Sequence, residues 1–585
     1  METAICRRFC LVVLISAIGG CKSFAFRALT GQQGHPKHPR SLLLKSTTVQ
    51  SENDTDDANL QEENGNAYGL YIHIPYCRQR CRYCDFAIVP IGNNERKNEM
   101  GDGDDPQSRR EQGFRKMNDR YISAIVGELK QIAARNKEAN KKIPLRSIYF
   151  GGGTPSLAPI ESIESIFYHA CGHDNPEAPF RLLQKSTGGN TTSATEITME
   201  MDPGTFNREY LASLRDLGVN RVSLGVQSFD DNILRAMGRT HRRADILQAI
   251  QDIAFVFGRD EGDDKFHDNR WDNVNYSIDL ISGSVGLTPA KWAETLQEAT
   301  AGVERQQSTD SASKSRQSLL LSSLPPPKHI SVYDMQIEEG TVFGNWAAKA
   351  KEAAIAQRKG DNTQSDDEYD EDEDPSRQFT VAVPLDDSGK DPKDMPTQEQ
   401  LILRLPSEDE CGFMYKYAAG YLRAKNFEHY EVSSYAAFED SVTRKPKDLK
   451  RVSKRSRHNQ IYWEYEGQWY ACGLGATSFV DKETVARPRE MNDYIEWVEK
   501  NNESLLSSSS DVQDERRNKS TDEGILSDLL LKRLRTVDGL DLNWLETNYG
   551  SEIVNDVLEG AKLGLDIELA EHTDDNILRL RDPEG

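Results

Sequence analysis

From residue 69 onward the chain alternates short β-like runs with longer stretches of helical period, and this alternation constrains the fold more than any other feature. Six strand candidates are visible: Gly69–Ile74, Arg146–Phe150, Glu196–Glu200, Arg221–Gly225, Asn275–Ile281 and His329–Tyr333. Between them lie the amphipathic stretches Asp119–Ala133, Pro159–Ala170, Asn207–Leu217, Ala244–Phe257 and Pro289–Ala299. Strand and helix in turn make an α/β architecture with a parallel sheet. Six such units predict a partial (β/α)6 barrel. By analogy with the eightfold barrel, its chemistry should collect at the C-terminal ends of the strands.

The first of those ends carries three thiols. The run Tyr71-Ile72-His73-Ile74 is closed by Pro75, and Cys77, Cys81 and Cys84 follow at C-x3-C-x2-C spacing, three of the chain's nine cysteines. Thiolates are soft ligands that suit iron–sulfur clusters or zinc. An ordinary structural site of either kind takes four protein ligands, and the next candidate position holds Phe86. One metal coordination position is thereby left open, as cofactor binding or catalysis at a cluster requires. Three incidental buried thiols, or a zinc site completed by His73, are the plainer readings of the spacing.

Other strand ends carry glycine or polar signals. Gly151-Gly152-Gly153-Thr154-Pro155 follows the second strand directly. Glycines let backbone N–H groups approach a ligand, at a cost of about 0.5–1 kcal/mol each relative to Ala. Glu200 ends the third strand, Gln227 follows the fourth, Arg239 comes soon after, and Asp279 lies on the fifth. Each alone reads as a surface or capping residue. At the same end of consecutive strands they can together satisfy ribose hydroxyls and an amino-acid zwitterion.

The cysteine spacing, with an aromatic before the third thiol, resembles the radical S-adenosylmethionine (SAM) superfamily. Taken with the other motifs, the chain from Tyr68 to about Tyr435 resembles the oxygen-independent coproporphyrinogen III oxidase family within it. Further matching stretches are His329–Tyr333, Glu339–Phe343 and Tyr430–Ser433. The resemblance implies a partial radical SAM barrel with a smaller mixed C-terminal region ending in helices. It also implies a [4Fe–4S] cluster on Cys77, Cys81 and Cys84. SAM would be contacted by Tyr71, Gly152, Gly153, Thr154, Glu200, Gln227, Arg239 and Asp279. The stretch Ser282-Gly283-Ser284-Val285-Gly286 departs from the family's usual Gly-Leu-Pro-Gly turn.

Two features resemble the heme-chaperone (HemW-type) branch of that family. Phe86 stands where the oxidases usually carry a further cysteine. His458-Asn459-Gln460-Ile461-Tyr462-Trp463 is similar to the branch's His-Asn-x-x-Tyr-Trp motif, which is linked there to heme. From the residues alone His458 reads as a histidine packed among core aromatics; the resemblance implies a heme-related role. It further implies heme, a heme-acceptor protein and a reductant such as ferredoxin or flavodoxin as partners. The rival readings are a coproporphyrinogen dehydrogenase of porphyrin biosynthesis and, more distantly, a zinc-binding interaction protein.

Composition bounds the rest. A chain of 585 residues exceeds one domain. Its 37% hydrophobic content and mean hydropathy of −0.68 leave much of it as solvated insertion. A net charge of −23 argues against general nucleic-acid binding. Residues 1–50 read as a signal followed by a transit segment, with Arg7 and Arg8 ahead of an apolar run and no acidic residue from Phe26 to Gln50. The apolar run is shorter than the ~20 residues a membrane span needs, so no transmembrane segment is expected in the mature chain. This bipartite address predicts a plastid, with the mitochondrion as the alternative. Residues 51–67 then form a polar leader and 68–345 the core domain, while 346–410 should be an acidic, disordered insertion. Residues 411–500 carry the His458 motif, 501–521 a linker, and 522–585 a helical C-terminal domain.

Overall fold

The computed structural model describes residues 67–92, 106–136, 142–183, 194–258, 274–301, 324–360, 379–384, 400–440, 451–506, 517–519 and 522–581. The N-terminal address, the acidic run Asp366–Asp374, most of the polar leader and most of the polar insertions lie outside the described residues.

Six strands form where the alternation places them: β1 (Tyr68–Ile74), β2 (Ile143–Gly152), β3 (Glu196–Met201), β4 (Arg221–Gln227), β5 (Tyr276–Ser282) and β6 (His329–Asp334). They pair in parallel in that spatial order. The reason is legible residue by residue, because successive side chains of a strand point to opposite faces. Ile72, Phe150, Met199, Leu224, Leu280 and Val332 on one face are buried, under helices that include Ile160–Cys171, Arg208–Asp216, Arg243–Phe257 and Pro289–Ala299. Burying each such side chain contributes roughly 1.5–3 kcal/mol. The alternate positions are polar and face the concave side: Tyr71, Tyr149, Glu200, Ser223, Asp279 and Ser331. Their cross-strand registers include Tyr71 opposite Tyr149, Glu200 opposite Ser223 and Asp279 opposite Ser331.

Among the described residues the sheet is wider than six strands. Beyond β6 runs the antiparallel strand Ser434–Asp440, and beyond β1 the strand Trp469–Cys472, which pairs in parallel. The hydrogen-bonded path runs on to Arg517–Lys519 at one edge and Phe427–Glu431 at the other. Trp469–Cys472 thus adds a seventh parallel strand that local pattern leaves inside a mixed β stretch.

Three expectations are corrected. The first helix runs Pro106–Arg135, beginning well ahead of the amphipathic stretch Asp119–Ala133; Phe114 anchors that added part edge-on to Tyr76. Within 346–410, the helix Val342–Gly360 continues and a hairpin pairs Thr380–Pro384 with Gln400–Arg404. Its Val381, Val383 and Leu403 are buried in the main core; the acidic average of the window conceals two short apolar runs. The last domain is not purely helical. Its helices Asp522–Arg533, Leu542–Tyr549 and Ser551–Asp566 enclose a separate core with a small antiparallel sheet formed by Leu540–Asp541, Ala570–His572 and Ile577–Leu580. Among the described residues no helix is long and apolar enough to cross a membrane.

A buried ion pair ties the C-terminal region to the first helix. Arg487 Nε lies 2.9 Å from Glu128 Oε1, and both side chains are almost fully buried. The second carboxylate oxygen accepts from the Gly473 N–H and the Tyr494 hydroxyl. Arg487→Met strands that carboxylate and is expected to cost roughly 3–5 kcal/mol, measured by chemical denaturation. The double variant Glu128→Gln/Arg487→Met should lose less.

Candidate active site

At the C-terminal ends of β1 to β6 a cavity of about 430 Å³ opens. Ten of the residues singled out from sequence line it: Cys77, Cys81, Cys84, Gly152, Gly153, Thr154, Glu200, Gln227, Arg239 and Asp279. They come from six chain segments spread over some two hundred positions. Eight of them end a parallel strand or follow one closely; Asp279 lies midway along β5, and Arg239 follows the helix Asp231–Met237 that comes after β4.

The three thiols are free and half-buried. Their loop is held by main-chain bonds: Val89 N–H donates to the Pro75 carbonyl, Ile91 N–H to Cys77 and Cys84 N–H to Cys81. Arg80 reaches the carbonyls of Cys84, Phe86 and Ile88. Burial pushes the Cys77 thiol up to about 12 and the Cys84 thiol upward as well, so metal ligation here must displace protons. Among the described residues no three His, Cys, Asp or Glu side chains converge as a cage for a single ion. His73 does not complete the set, since one ring nitrogen lies 2.8 Å from the Ala87 carbonyl and the other 3.2 Å from the Tyr71 hydroxyl. Three thiols on one wall of a cavity are a donor set that fits an iron–sulfur cluster with one iron left open to a second ligand.

The glycine turn works differently from the sequence expectation. Gly152 has φ +119°, and a Cβ there would lie 2.6 Å from the His73 ring, so only glycine fits. Yet its N–H donates to Glu200 Oε2, while the Gly153 and Thr154 N–H groups donate to the Ile74 and Tyr76 carbonyls. Any backbone contact from this turn to a ligand therefore comes from carbonyl oxygens, which suits an ammonium rather than an anion.

Two carboxyl groups line the cavity from the sheet, Glu200 on β3 and Asp279 on β5. Glu200 Oε1 accepts from the Tyr149 hydroxyl at 2.7 Å. Although Glu200 keeps an open face on the cavity, the protein around it strips enough water to raise its carboxyl to about 7. The bond from Tyr149 opposes that rise and the Asp279 charge adds to it. Asp279 accepts from Ser223 Oγ at 3.0 Å and is raised by the same desolvation. Gln227 sits at φ 64° where the β4–β5 register breaks, a strained position for a non-glycine residue that aims it at the cavity.

Arg239 is fixed by Asp202 at 2.5 Å and also donates to the Gly225 carbonyl and to Cys81 Sγ. Asp202 accepts in addition from Thr154 Oγ1. This residue is missing from the sequence-derived site, although it lies two positions after Glu200 and so on the same face. Tyr149 is missing too, two positions before Gly151. In both cases strand alternation is the signal that could have found them.

Two of the expected site residues do not line the cavity. Tyr71 lies one layer deeper, its ring stacked on Tyr149 at 6.1 Å and its hydroxyl turned to His73. His458 lies deeper still, at the opposite end of the sheet's interior. It is 2% exposed, with Nδ1 2.8 Å from Ser147 Oγ and Nε2 2.8 Å from the Tyr462 hydroxyl. Both ring nitrogens are engaged and burial holds the imidazole neutral. In this conformation it offers no free lone pair to an iron.

The raised Glu200 carboxyl is directly measurable. It should be protonated below pH about 7 and ionised above, and its ionisation opposes folding as pH climbs from the ordinary 4.5 to that value. An infrared difference spectrum between wild type and Glu200→Gln should show a protonated carboxyl band that disappears with a midpoint near pH 7.

The comparisons agree with this geometry. Residues 71–254 match the radical SAM superfamily. The chain is 31% identical over 430 residues to a heme chaperone HemW of Synechocystis sp., covering 73% of this chain and 70% of that one. It is 24% identical over 497 residues to the mitochondrial radical S-adenosyl methionine domain-containing protein 1 of Dictyostelium discoideum, covering 81% and 82%. Among solved structures, the coproporphyrinogen III oxidase HemN from Escherichia coli superposes with a TM-score of 0.52 over 91% of this chain and 90% of that one. At 16% identity this shows the fold alone. With the strand-end cavity, its three thiols and this breadth of identity together, the chain belongs to the heme chaperone HemW family of radical SAM proteins.

Proposed function

We propose that this protein binds heme and passes it to an acceptor protein, and that it carries a [4Fe–4S] cluster and SAM in the strand-end cavity. The observation that carries the cofactor reading is the meeting of three free thiols with Glu200, Asp279, Gln227 and Arg239 around one cavity. Cys77, Cys81 and Cys84 would hold the cluster. Carbonyls of the Gly152–Gly153 turn and the Glu200 carboxylate would take the amino group of SAM, Arg239 its carboxylate, and Asp279 and Gln227 its ribose. When bound, the pair supplies one-electron cleavage of a carbon–sulfur bond. This chain's own residues orient the reactants and exclude water, and Asp202 and Tyr149 hold Arg239 and Glu200 in place. A low-potential reductant such as ferredoxin or flavodoxin is the implied electron source.

Phe86 favours heme handling over coproporphyrinogen oxidation. It is 68% exposed on the cavity rim, where it supplies a flat apolar face instead of a further thiol. Anaerobically reconstituted protein should hold about four irons per chain, and Cys77→Ser, Cys81→Ser or Cys84→Ser should abolish this. It should bind hemin, seen as a Soret band, and should not convert coproporphyrinogen in the presence of SAM and reductant. Stoichiometric zinc in anaerobic preparations, or vigorous conversion of coproporphyrinogen, would overturn the reading.

The composition of residues 1–50 supports delivery to an organelle, with a plastid preferred to the mitochondrion. Fused to a fluorescent reporter, these residues should carry it into plastids, with cleavage near Ala25–Phe26. Reporter in mitochondria would transfer the assignment there.

A further inference from the structure

The helix Arg457–Trp463, which carries the His458 motif, closes the end of the barrel opposite the cysteine loop. Its position is fixed from below and above. The Arg457 N–H donates to Glu196 Oε1 and the Arg457 side chain to the Ala194 carbonyl, both at the N-terminal end of β3. Glu464, just past its end, pairs with Arg146 at 2.6 Å. The Trp463 carbonyl accepts from Arg533 of the C-terminal domain, and Arg535 lies over the Trp463 ring. The helix is therefore a plug held between two domains, and His458, Ile461 and Tyr462 face the barrel, Ile461 packing beside Gly69.

What the plug touches is the underside of the cavity. The His458 ring stacks on Tyr149 with centroids 5.0 Å apart and planes 23° apart, and lies 6.3 Å from Tyr71. Tyr149 continues upward, and its hydroxyl donates to Glu200 Oε1. Space around the stack is filled, because a Cβ on Gly151 would meet the Tyr149 and Tyr71 rings at 2.9 Å and a Cβ on Gly69 would meet His458 at 3.3 Å. The line Ser147, His458, Tyr149, Glu200 is continuous, each member touching the next, and it ends on a cavity-lining carboxyl.

We propose that His458 is a positioning residue for the ligand site: by fixing the Tyr149 ring from below, it sets the hydrogen bond that orients Glu200 toward the amino group of SAM. This deepens the cofactor reading above and rests on it for the identity of the ligand, but the link from His458 to Glu200 stands on contacts within the chain. The plug is then a floor that the active cavity needs. It also makes the C-terminal domain, which grips Trp463, part of the support of that floor.

Five full-length proteins test this: wild type, His458→Ala, His458→Asn, Tyr149→Phe and the double variant His458→Ala/Tyr149→Phe. Three readouts apply to each: SAM affinity of the anaerobically reconstituted protein by equilibrium dialysis, heme affinity by Soret titration, and the infrared midpoint of the Glu200 carboxyl. Groups facing that carboxyl are Tyr149, the Gly152 N–H, Asp202 and Asp279. Tyr149 holds the midpoint down, so loosening it must move the midpoint up. His458→Ala and Tyr149→Phe should each weaken SAM binding about tenfold, as loss of a hydrogen bond to a charged group does, and raise the midpoint. The double variant should be no worse than either single one. His458→Asn, which keeps a planar group against Tyr149 and a bond to Ser147, should recover most of the affinity. Should His458→Ala fail to fold, His458→Asn and Tyr149→Phe carry the comparison. Unchanged SAM affinity and an unmoved midpoint in His458→Ala, with heme binding lost, would overturn the proposal and make His458 a heme ligand. If the wild type takes up no SAM, the cofactor reading fails, while the midpoint still judges the link from His458 to Glu200.

Discussion

A parallel sheet with a polar concave face is costly wherever an inward group lacks a partner, since an unpaired buried polar group costs about 1–3 kcal/mol. Pairing most of those groups organises this molecule, though Thr198 Oγ1 and His329 Nδ1 stay unpaired. Across the six strands the inner positions bond to one another in layers: Ser277 to Ser223, Ser223 to Asp279, Tyr149 to Glu200, Arg239 to Asp202. The uppermost layers are left facing a cavity, and there the bookkeeping of partners is incomplete by design. Carboxyls with raised proton affinity, a strained glutamine and three free thiols together line that opening.

The other end of the interior needs closing, and the chain does this from far away. The helix that bears His458 returns after more than three hundred residues, fits under Tyr149 and Tyr71, and leads through Tyr462 and Trp469 into a strand that extends the sheet beyond β1. A single segment thus seals the floor, widens the sheet and meets the C-terminal domain. The buried pair Arg487–Glu128 locks that arrangement against the first helix. Disturbing the C-terminal region should therefore be felt at the strand-end cavity, whose lining residues all come from the chain before Glu339.

This view gives the His-Asn-x-x-Tyr-Trp segment two faces. Tyr462 and His458 satisfy each other and the barrel interior, whereas Trp463 packs under Arg535 at the domain junction. A heme reaching the His458 nitrogens would first have to break the bonds to Ser147 and Tyr462. The exposed Phe86 at the opposite end needs no such rearrangement to meet a flat apolar ligand.

The six core strands and most residues at their ends were legible in the chain before any fold was known. Alternation at period two marked all six core strands, because the pleat sends neighbours to opposite faces whatever surrounds them. Cys77, Cys81 and Cys84, the glycine turn and Glu200 were visible because each sits at or just past a strand end, and Asp279 because a charged residue interrupts an otherwise uncharged strand. Asp202 and Tyr149 stand two positions from Glu200 and Gly151, on the same face of their strands, and no motif of their own marks them. The hairpin inside the acidic span and the small sheet at the C-terminus were hidden by averages over windows longer than the elements. What the tertiary structure alone decided is where distant segments meet: that Trp469–Cys472 becomes a parallel neighbour of β1, that Tyr71 stands below the cavity instead of in it, and that His458 faces Ser147 across 311 positions. Such contacts depend on the closing of long loops and on which buried polar group remains to be satisfied, and neither is written in any short stretch of residues.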